Sequence, residues 1–189
     1  MDNKPIYPAK RTIVINLFGA PGSGKSTGAA YIFSKLKMNG INAELITEFA
    51  KDKVWEENAE VFKNQAYLFG KQYFRMSRCD GKVDVIVTDS PLLLSAYYNT
   101  SNVLGDEFEI VVNKVFRSFK NMNFFIERVK EYNPSGRLQT EAESDAISKT
   151  MRDFLDTFDI LIYDTYNGDI EGYDAIVRDV LNVLSAEDR

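Results

Sequence analysis

The run Gly19-Ala20-Pro21-Gly22-Ser23-Gly24-Lys25-Ser26-Thr27 constrains this chain more than any other feature, because it fills every fixed position of the pattern G-x-x-x-x-G-K-[ST]. The surroundings agree with it. An apolar, β-branched run from Thr12 to Phe18 leads in, and a helix-forming run from Gly28 to Met38 leads out. Glycines let a backbone wrap closely enough for its N–H groups to point at phosphate oxygens. In such a loop Lys25 reaches the β- and γ-phosphates, the Ser26 hydroxyl ligates Mg²⁺, and the following helix adds the positive end of its dipole. Gly19, Gly22, Ser23, Gly24, Lys25, Ser26 and Thr27 are therefore the expected binding set for a nucleoside triphosphate.

Beyond the loop, strand-like and helix-like segments alternate, which argues for an α/β fold built on a mostly parallel sheet. Short apolar runs at Thr12–Phe18, Ala43–Thr47, Val83–Thr88, Asn123–Ile126 and Asp159–Ile162 read as buried parallel strands. Helices are expected at Lys25–Met38, Trp55–Arg78, Pro91–Tyr98, Asp106–Lys120, Thr140–Phe158 and Glu171–Leu184. The second of these has the clearest periodicity: Trp55, Ala59, Phe62, Ala66, Phe69, Tyr73 and Met76 recur at spacings of four and three. No repeat, linker or low-complexity tract interrupts the pattern. Residues 12–189 are accordingly read as a single domain, with a short lid at about 128–142, and residues 1–11 as a flexible leader.

Composition removes several kinds of chemistry. The chain has 189 residues, enough for one domain with a sizeable core, and a net charge of −5. That balance does not favour non-specific nucleic-acid binding, although a local basic patch remains open. No histidine is present and Cys79 is the only cysteine. Histidine-based acid–base catalysis, Ser-His-Asp triads, His-ligated metals, internal disulfides and multi-cysteine zinc sites are thereby excluded. A general base has to be a carboxylate, Lys, Tyr or Cys. The polar first residues lack an apolar signal-peptide core and no run reads as a membrane span, so a reducing cytoplasm is the expected location.

In open α/β sheets ligands sit at the carboxyl ends of the strands, so polar residues just after each strand are the candidates. Glu48 follows the second strand and suits either a base for an attacking hydroxyl, a ribose contact or a solvated loop acid. Asp89 ends the third strand after four apolar or β-branched residues, the Walker-B placement for an Mg²⁺ ligand, and it also suits a helix start before Pro91. Metal ligation is therefore expected from Ser26 and Asp89. Arg128, Lys130 and Arg137 surround a loop broken by Asn133-Pro134-Ser135-Gly136, which suits a flap closing over a transferring phosphoryl group or an exposed basic loop. Arg137 is the stronger flap candidate, set at the start of a helix-prone segment beside Gln139 and Glu141. Lys71, Arg75 and Arg78 share a helix face roughly opposite the aromatic stripe, as a solvated surface or as the seat of an acidic or phosphorylated acceptor beside the catalytic cleft.

Absent motifs narrow the class further. Motor-type ATPases place Glu after the Walker-B Asp, and this chain has Ser90-Pro91. The nearest approach to a guanine-reading Asn-Lys-x-Asp is Asn113-Lys114-Val115-Phe116, which lacks the aspartate. An acid after strand two, an Asp after strand three and a basic flap after strand four fit phosphoryl transfer, which is mainly positioning and charge stabilisation. Catalytic candidates are Lys25, Glu48, Asp89 and Arg137.

At Gly19–Thr27, Ile46-Thr47-Glu48 and Val87-Thr88-Asp89-Ser90-Pro91-Leu92 the chain resembles the nucleoside and nucleotide kinase group of P-loop proteins. Within it, the chain looks most like ribosylnicotinamide-kinase-type AAA ATPase domains, small and often phage-encoded. The resemblance runs from about Thr12 to Leu184 and implies a three-layer P-loop fold with a five-stranded parallel sheet. It also implies ATP and Mg²⁺ as cofactors, an acceptor contact or base at Glu48, a metal or acceptor contact at Asp89, and ATP-phosphate contacts at Arg128 and Arg137. Ser90 departs from the group, where an arginine commonly follows the Asp, and the lid is short. The expected function is phosphoryl transfer to a nucleoside-like or nucleotide acceptor. Transfer to a modified base or end in DNA is one alternative, and a nucleotide-dependent interaction module with slow ATP hydrolysis is the other.

Overall fold

The computed structural model describes residues 11–48, 61, 63–99, 104–133 and 140–187. Five parallel strands, β1 (Ile13–Phe18), β2 (Ala43–Ile46), β3 (Val85–Thr88), β4 (Lys120–Glu127) and β5 (Asp164–Asn167), form one sheet in the order β2-β3-β1-β4-β5. Among the described residues the helices are α1 (Lys25–Met38), α2 (Gln65–Ser77), α3 (Leu94–Tyr97), α4 (Gly105–Phe116), α5 (Glu141–Thr157) and α6 (Ile170–Glu187). This is the three-layer α/β arrangement, and each layer follows from side-chain alternation along the strands.

β1 is buried at every residue because it lies at the centre of the sheet with a helix layer on either side. Ile13, Ile15 and Leu17 face one cluster, with Ile32 and Leu36 of α1 and Tyr173, Ile176 and Val180 of α6. Val14 and Phe18 face the other, with Phe69 and Met76 of α2, Val112 and Phe116 of α4, and Met151 and Leu155 of α5. Each fully buried aliphatic or aromatic side chain contributes about 1.5–3 kcal/mol. The polar exception is Asn16, fully buried, whose amide donates to Asn121 Oδ1 at 2.8 Å and Asn123 Oδ1 at 2.9 Å. Asn123 in turn donates to the Leu161 carbonyl at 3.0 Å, so a carboxamide ladder joins β1, β4 and the approach to β5.

Several boundaries differ from expectation. β4 starts at Lys120 and not at Asn123, because α4 ends at Phe116 and a tight turn at Arg117–Phe119 intervenes. The last strand is not Asp159–Ile162. Asp159 takes a positive φ of 49° and its N–H bonds back to Asp156, while the Ile160 N–H reaches the Leu155 carbonyl at 3.0 Å. That is a left-handed stop closing α5. Ile160 is apolar because it plugs the cluster beneath α5, whereas the strand itself is the polar Asp164-Thr165-Tyr166-Asn167 at the sheet edge. The expected stripe on the second helix is also rotated. Gln65, Leu68, Phe69, Gln72 and Met76 are buried, while Ala66 and Tyr73 are exposed. The expected start of that helix at Trp55 lies outside the described residues.

The strand order positions the site. The chain leaves β1 toward β2 on one side of the sheet and leaves β3 toward β4 on the other. The carboxyl ends of β1 and β3, adjacent strands, therefore flank a topological switch point, where α/β sheets open a crevice.

Candidate active site

The loop after β1 is shaped by its glycines. Gly19, Gly22 and Gly24 have φ of 138°, 83° and 102°, the left-handed region that other residues avoid. Space forbids side chains as firmly as torsion does. A Cβ on Gly19 would stand 2.5 Å from the Ile126 carbonyl oxygen, and one on Gly24 would strike the Tyr173 hydroxyl.

Tyr173, the residue that braces this loop, gave no signal in the sequence. Its hydroxyl donates to the Gly24 carbonyl at 2.9 Å, and its ring lies so close to α1 that a Cβ on Gly28 would be 2.5 Å away. Burial raises its pKa, with a smaller contribution from the charge of Asp169, which keeps it a protonated donor. The turn before α6 closes on the same loop: Gly168 donates to the Glu127 carbonyl at 2.8 Å and has no room for a side chain against the Ser23 carbonyl. From the opposite layer, the buried Ser144 of α5 donates to the Pro21 carbonyl at 2.6 Å. Both helix layers thus hold the loop, which preorganises it.

Gly24 is the N-cap of α1, and no acid occupies the first turn, so the positive end of the helix faces the loop uncancelled. Lys25 Nζ folds over the loop and donates to the carbonyls of Gly19 at 2.7 Å and Ala20 at 2.9 Å. Ser26 and Thr27 are exposed on the first turn, and Ser23 Oγ is buried without a hydrogen-bond partner. An uncapped helix N-terminus, a lysine at its mouth and a loop without room for side chains suit a polyphosphate.

Across the crevice, Asp89 is 4% exposed and its Oδ1 accepts the Glu48 backbone N–H at 3.0 Å. This bond ties the ends of β2 and β3 and brings the expected pair of acids together. The half-buried Glu48 lies near Tyr98, whose pKa is raised first by burial and then by the Glu48 charge. Gln72 of α2 donates to Thr88 Oγ1 at 3.2 Å and to the Ser90 carbonyl at 3.1 Å, bracing the backbone on both sides of Asp89. Arg75, which the sequence left as either a solvated surface residue or part of an acceptor seat, donates to the Thr47 carbonyl at 3.2 Å, one residue before Glu48 in the chain. Among the described residues no group of three or more acids or cysteines is gathered to hold a metal by itself. Ser26 and Asp89 remain donors of the hard-oxygen kind that Mg²⁺ takes beside phosphate oxygens.

The flap residues fare differently. Arg137 lies outside the described residues. Arg128 donates to Glu141 at 2.6 Å and also to Asp145, both on α5, with its guanidinium 5.6 Å from the centre of the Tyr132 ring. The hydrogen bonds to Glu141 and then Asp145 raise its pKa. The Glu141 expected beside Arg137 is therefore engaged by Arg128. A further arginine passed over in the sequence, Arg152 of α5, donates to Glu127 at 2.7 Å and lies 3.7 Å over the Phe125 ring, at the end of β4.

A glycine-wrapped loop after the central strand, in a sheet of this order, defines the P-loop kinase type of fold. Solved structures share it. Deoxyadenosine kinase from M. mycoides, with bound dATP, superposes with a TM-score of 0.59 at 20% identity, covering 89% of this chain and 99% of that one. Thymidylate kinase from Candida albicans gives 0.56 at 16% identity, over 94% and 93%. Shikimate kinase from Acinetobacter baumannii, in complex with shikimate, gives 0.51 at 11% identity, over 94% and 96%. No curated protein matches the chain. An AAA domain family model matches residues 14–172, and the chain belongs to that family. Among the described residues no helix is long and apolar enough to cross a membrane.

Proposed function

We propose that this protein is an ATP- and Mg²⁺-dependent small-molecule kinase that phosphorylates a nucleoside-like or nucleotide acceptor. The observation that carries the reading is the meeting, at one switch point, of the glycine loop after β1 with the tied acids Glu48 and Asp89 after β2 and β3. Shared fold with nucleoside and nucleotide kinases supports the same class.

Bound ATP with Mg²⁺ supplies the transferable phosphoryl group. The loop N–H groups and the start of α1 hold its phosphates, while Ser26 and Asp89 hold the ion. Lys25 exchanges the Gly19 and Ala20 carbonyls for phosphate oxygens and offsets charge as it develops in transfer. Glu48 accepts the acceptor's hydroxyl proton, and Asp89, through the Glu48 N–H, fixes the backbone that carries it. Arg75 beside Thr47 supplies positive charge in place of the arginine missing at Ser90. Arg128, together with Arg137, closes over the nucleotide after leaving Glu141 and Asp145. A cytoplasmic enzyme of the ribosylnicotinamide-kinase type is the finer form of this reading.

The test is mass spectrometry of a nucleoside and nucleotide panel incubated with ATP and Mg²⁺. The expected result is one phosphorylated product class, with Lys25→Ala lowering its rate by about 100-fold or more while the variant still unfolds cooperatively. ATP binding without any phosphorylated product would favour a nucleotide-dependent interaction module, and near-normal turnover by Lys25→Ala would sink the assignment of that lysine.

A further inference from the structure

The outer face of α2 carries an exposed pattern of rings and cations. Tyr67, Lys71, Phe74 and Arg78 stand at spacings of four, three and four, which on a helix is one narrow stripe. The stripe lies opposite the buried face made by Leu68, Phe69, Gln72 and Met76. Phe74 is 65% exposed and Tyr67 40%, while Lys71 and Arg78 are also exposed. Lys71 Nζ already lies 5.5 Å from the centre of the Tyr67 ring. Rings and cations therefore alternate along the stripe, each type repeating at about 10.5 Å for the helical rise of seven residues.

Two further observations say what such a stripe fits. Gly70 sits between Tyr67 and Phe74, and a Cβ there would meet nothing within 4 Å. Among the described residues nothing packs where a side chain at this position would stand, and a mid-helix glycine costs about 0.5–1 kcal/mol relative to alanine. Its effect is an open notch between two exposed rings. Charge is also segregated here: in a chain of net charge −5, no acid occurs from Lys63 to Cys79, and Arg75 extends the positive field to the end of β2.

We propose that this face of α2 binds single-stranded nucleic acid. Exposed planar rings stack on bases of any identity, and interleaved cations follow the phosphate backbone. The large apolar side chains exposed on α2 are all aromatic, Tyr67, Tyr73 and Phe74, with no exposed aliphatic side chain of the kind that anchors a helix in lipid. An acidic peptide would answer the cations but leave the notch between the rings without a planar occupant. The surface is carried by its own observations and does not depend on the kinase reading. If both hold, a strand on α2 runs along the rim of the crevice where Arg75 reaches Thr47.

Fluorescence anisotropy with an end-labelled oligothymidylate, titrated at several salt concentrations, tests this. Saturable binding is expected at about 50 mM salt, weakening steeply as salt rises. Lys71→Gln with Arg78→Gln should reduce the magnitude of the salt slope by about 1.4, because two phosphates of the single strand are left without a cation. Removing either ring, by Tyr67→Ala or Phe74→Ala, should weaken binding roughly tenfold. Gly70→Leu, which fills the notch at an open helix position and should fold normally, should weaken it similarly. A cooperative thermal melt close to the parent's confirms that each variant is folded. Absence of oligonucleotide binding overturns the proposal, as does affinity unchanged in all these variants. Binding to phosphatidylserine vesicles without oligonucleotide binding overturns it too and makes the face a membrane contact.

Discussion

Tyr173 and Gly24 show how a single contact governs the site. The Tyr173 hydroxyl donates to the Gly24 carbonyl, and the same hydroxyl occupies the space a Cβ on Gly24 would need. Tyr173→Phe keeps the ring beside Gly28 and should cost about 1 kcal/mol for the lost hydrogen bond. Gly24→Ala should cost more, about 1–3 kcal/mol from the positive φ with the clash added. The two changes share one contact and should not add: once Tyr173→Phe has removed the hydroxyl, the alanine loses its most severe clash and keeps only the tight 3.2 Å approach to the Gly168 carbonyl, so its cost falls toward the torsional part. A double-mutant cycle by urea denaturation measures this, and strict additivity would contradict the geometry. The sequence made the glycines legible because their pattern is local. It did not reveal Tyr173, which lies in a different helix and reads as one more apolar position of α6.

Among the elements, α5 connects the flap to the phosphate loop. Thr140 caps its start by accepting the Glu143 N–H, and the Glu143 carboxylate accepts from the Thr140 N–H at 2.6 Å and its hydroxyl at 2.9 Å. These bonds, the backbone one first, hold the Glu143 pKa below its ordinary value of 4.5. A lowered folded-state pKa stabilises the fold above the unfolded value and loses that contribution as pH falls through the folded one. Glu143→Gln should therefore be less stable than the parent at pH 7, and the gap should close as pH drops below about 4. Thermal melts from pH 7 to 3 check this, and a gap that widens toward acid would contradict the capping box. The helix itself was expected at Thr140–Phe158, whereas its capping box emerged only from the structure. The helix end at Phe158 was readable too, but the segment after it was not: Ile160 is apolar for plugging the core and reads locally like a strand. β5 was missed for the matching reason: an edge strand needs backbone partners more than apolar side chains.

For the whole molecule, the loop is held from both layers, by Tyr173 and Gly168 on one side and by Ser144 on the other. A ligand gripped by that loop should therefore stabilise the entire fold. Saturating ATP with Mg²⁺ at 100 times its dissociation constant adds about 2.7 kcal/mol. For a chain of this size that is a rise in melting temperature of roughly 5–11 °C. Lys25→Ala should lose most of the shift, and calorimetry in the presence of Mg²⁺ should show the matching loss of binding heat. A wild-type melting temperature unmoved by every purine triphosphate would contradict the phosphate-cradle reading.

The residues from Thr12 to Met38 determined the fold class by themselves, because a strand, a glycine turn and a helix are written in local torsional preference and in periodicity over a few residues. The acids after β2 and β3 were legible for a related reason, as polar residues ending apolar runs. Tertiary structure alone decided that Asp89 reaches the Glu48 backbone, that Arg128 rests on Glu141 and Asp145, that Arg75 reaches Thr47, and that Tyr173 braces the loop. Each of these joins groups from different elements, and their distances are set by how sheet and helices pack, which no local stretch of sequence encodes.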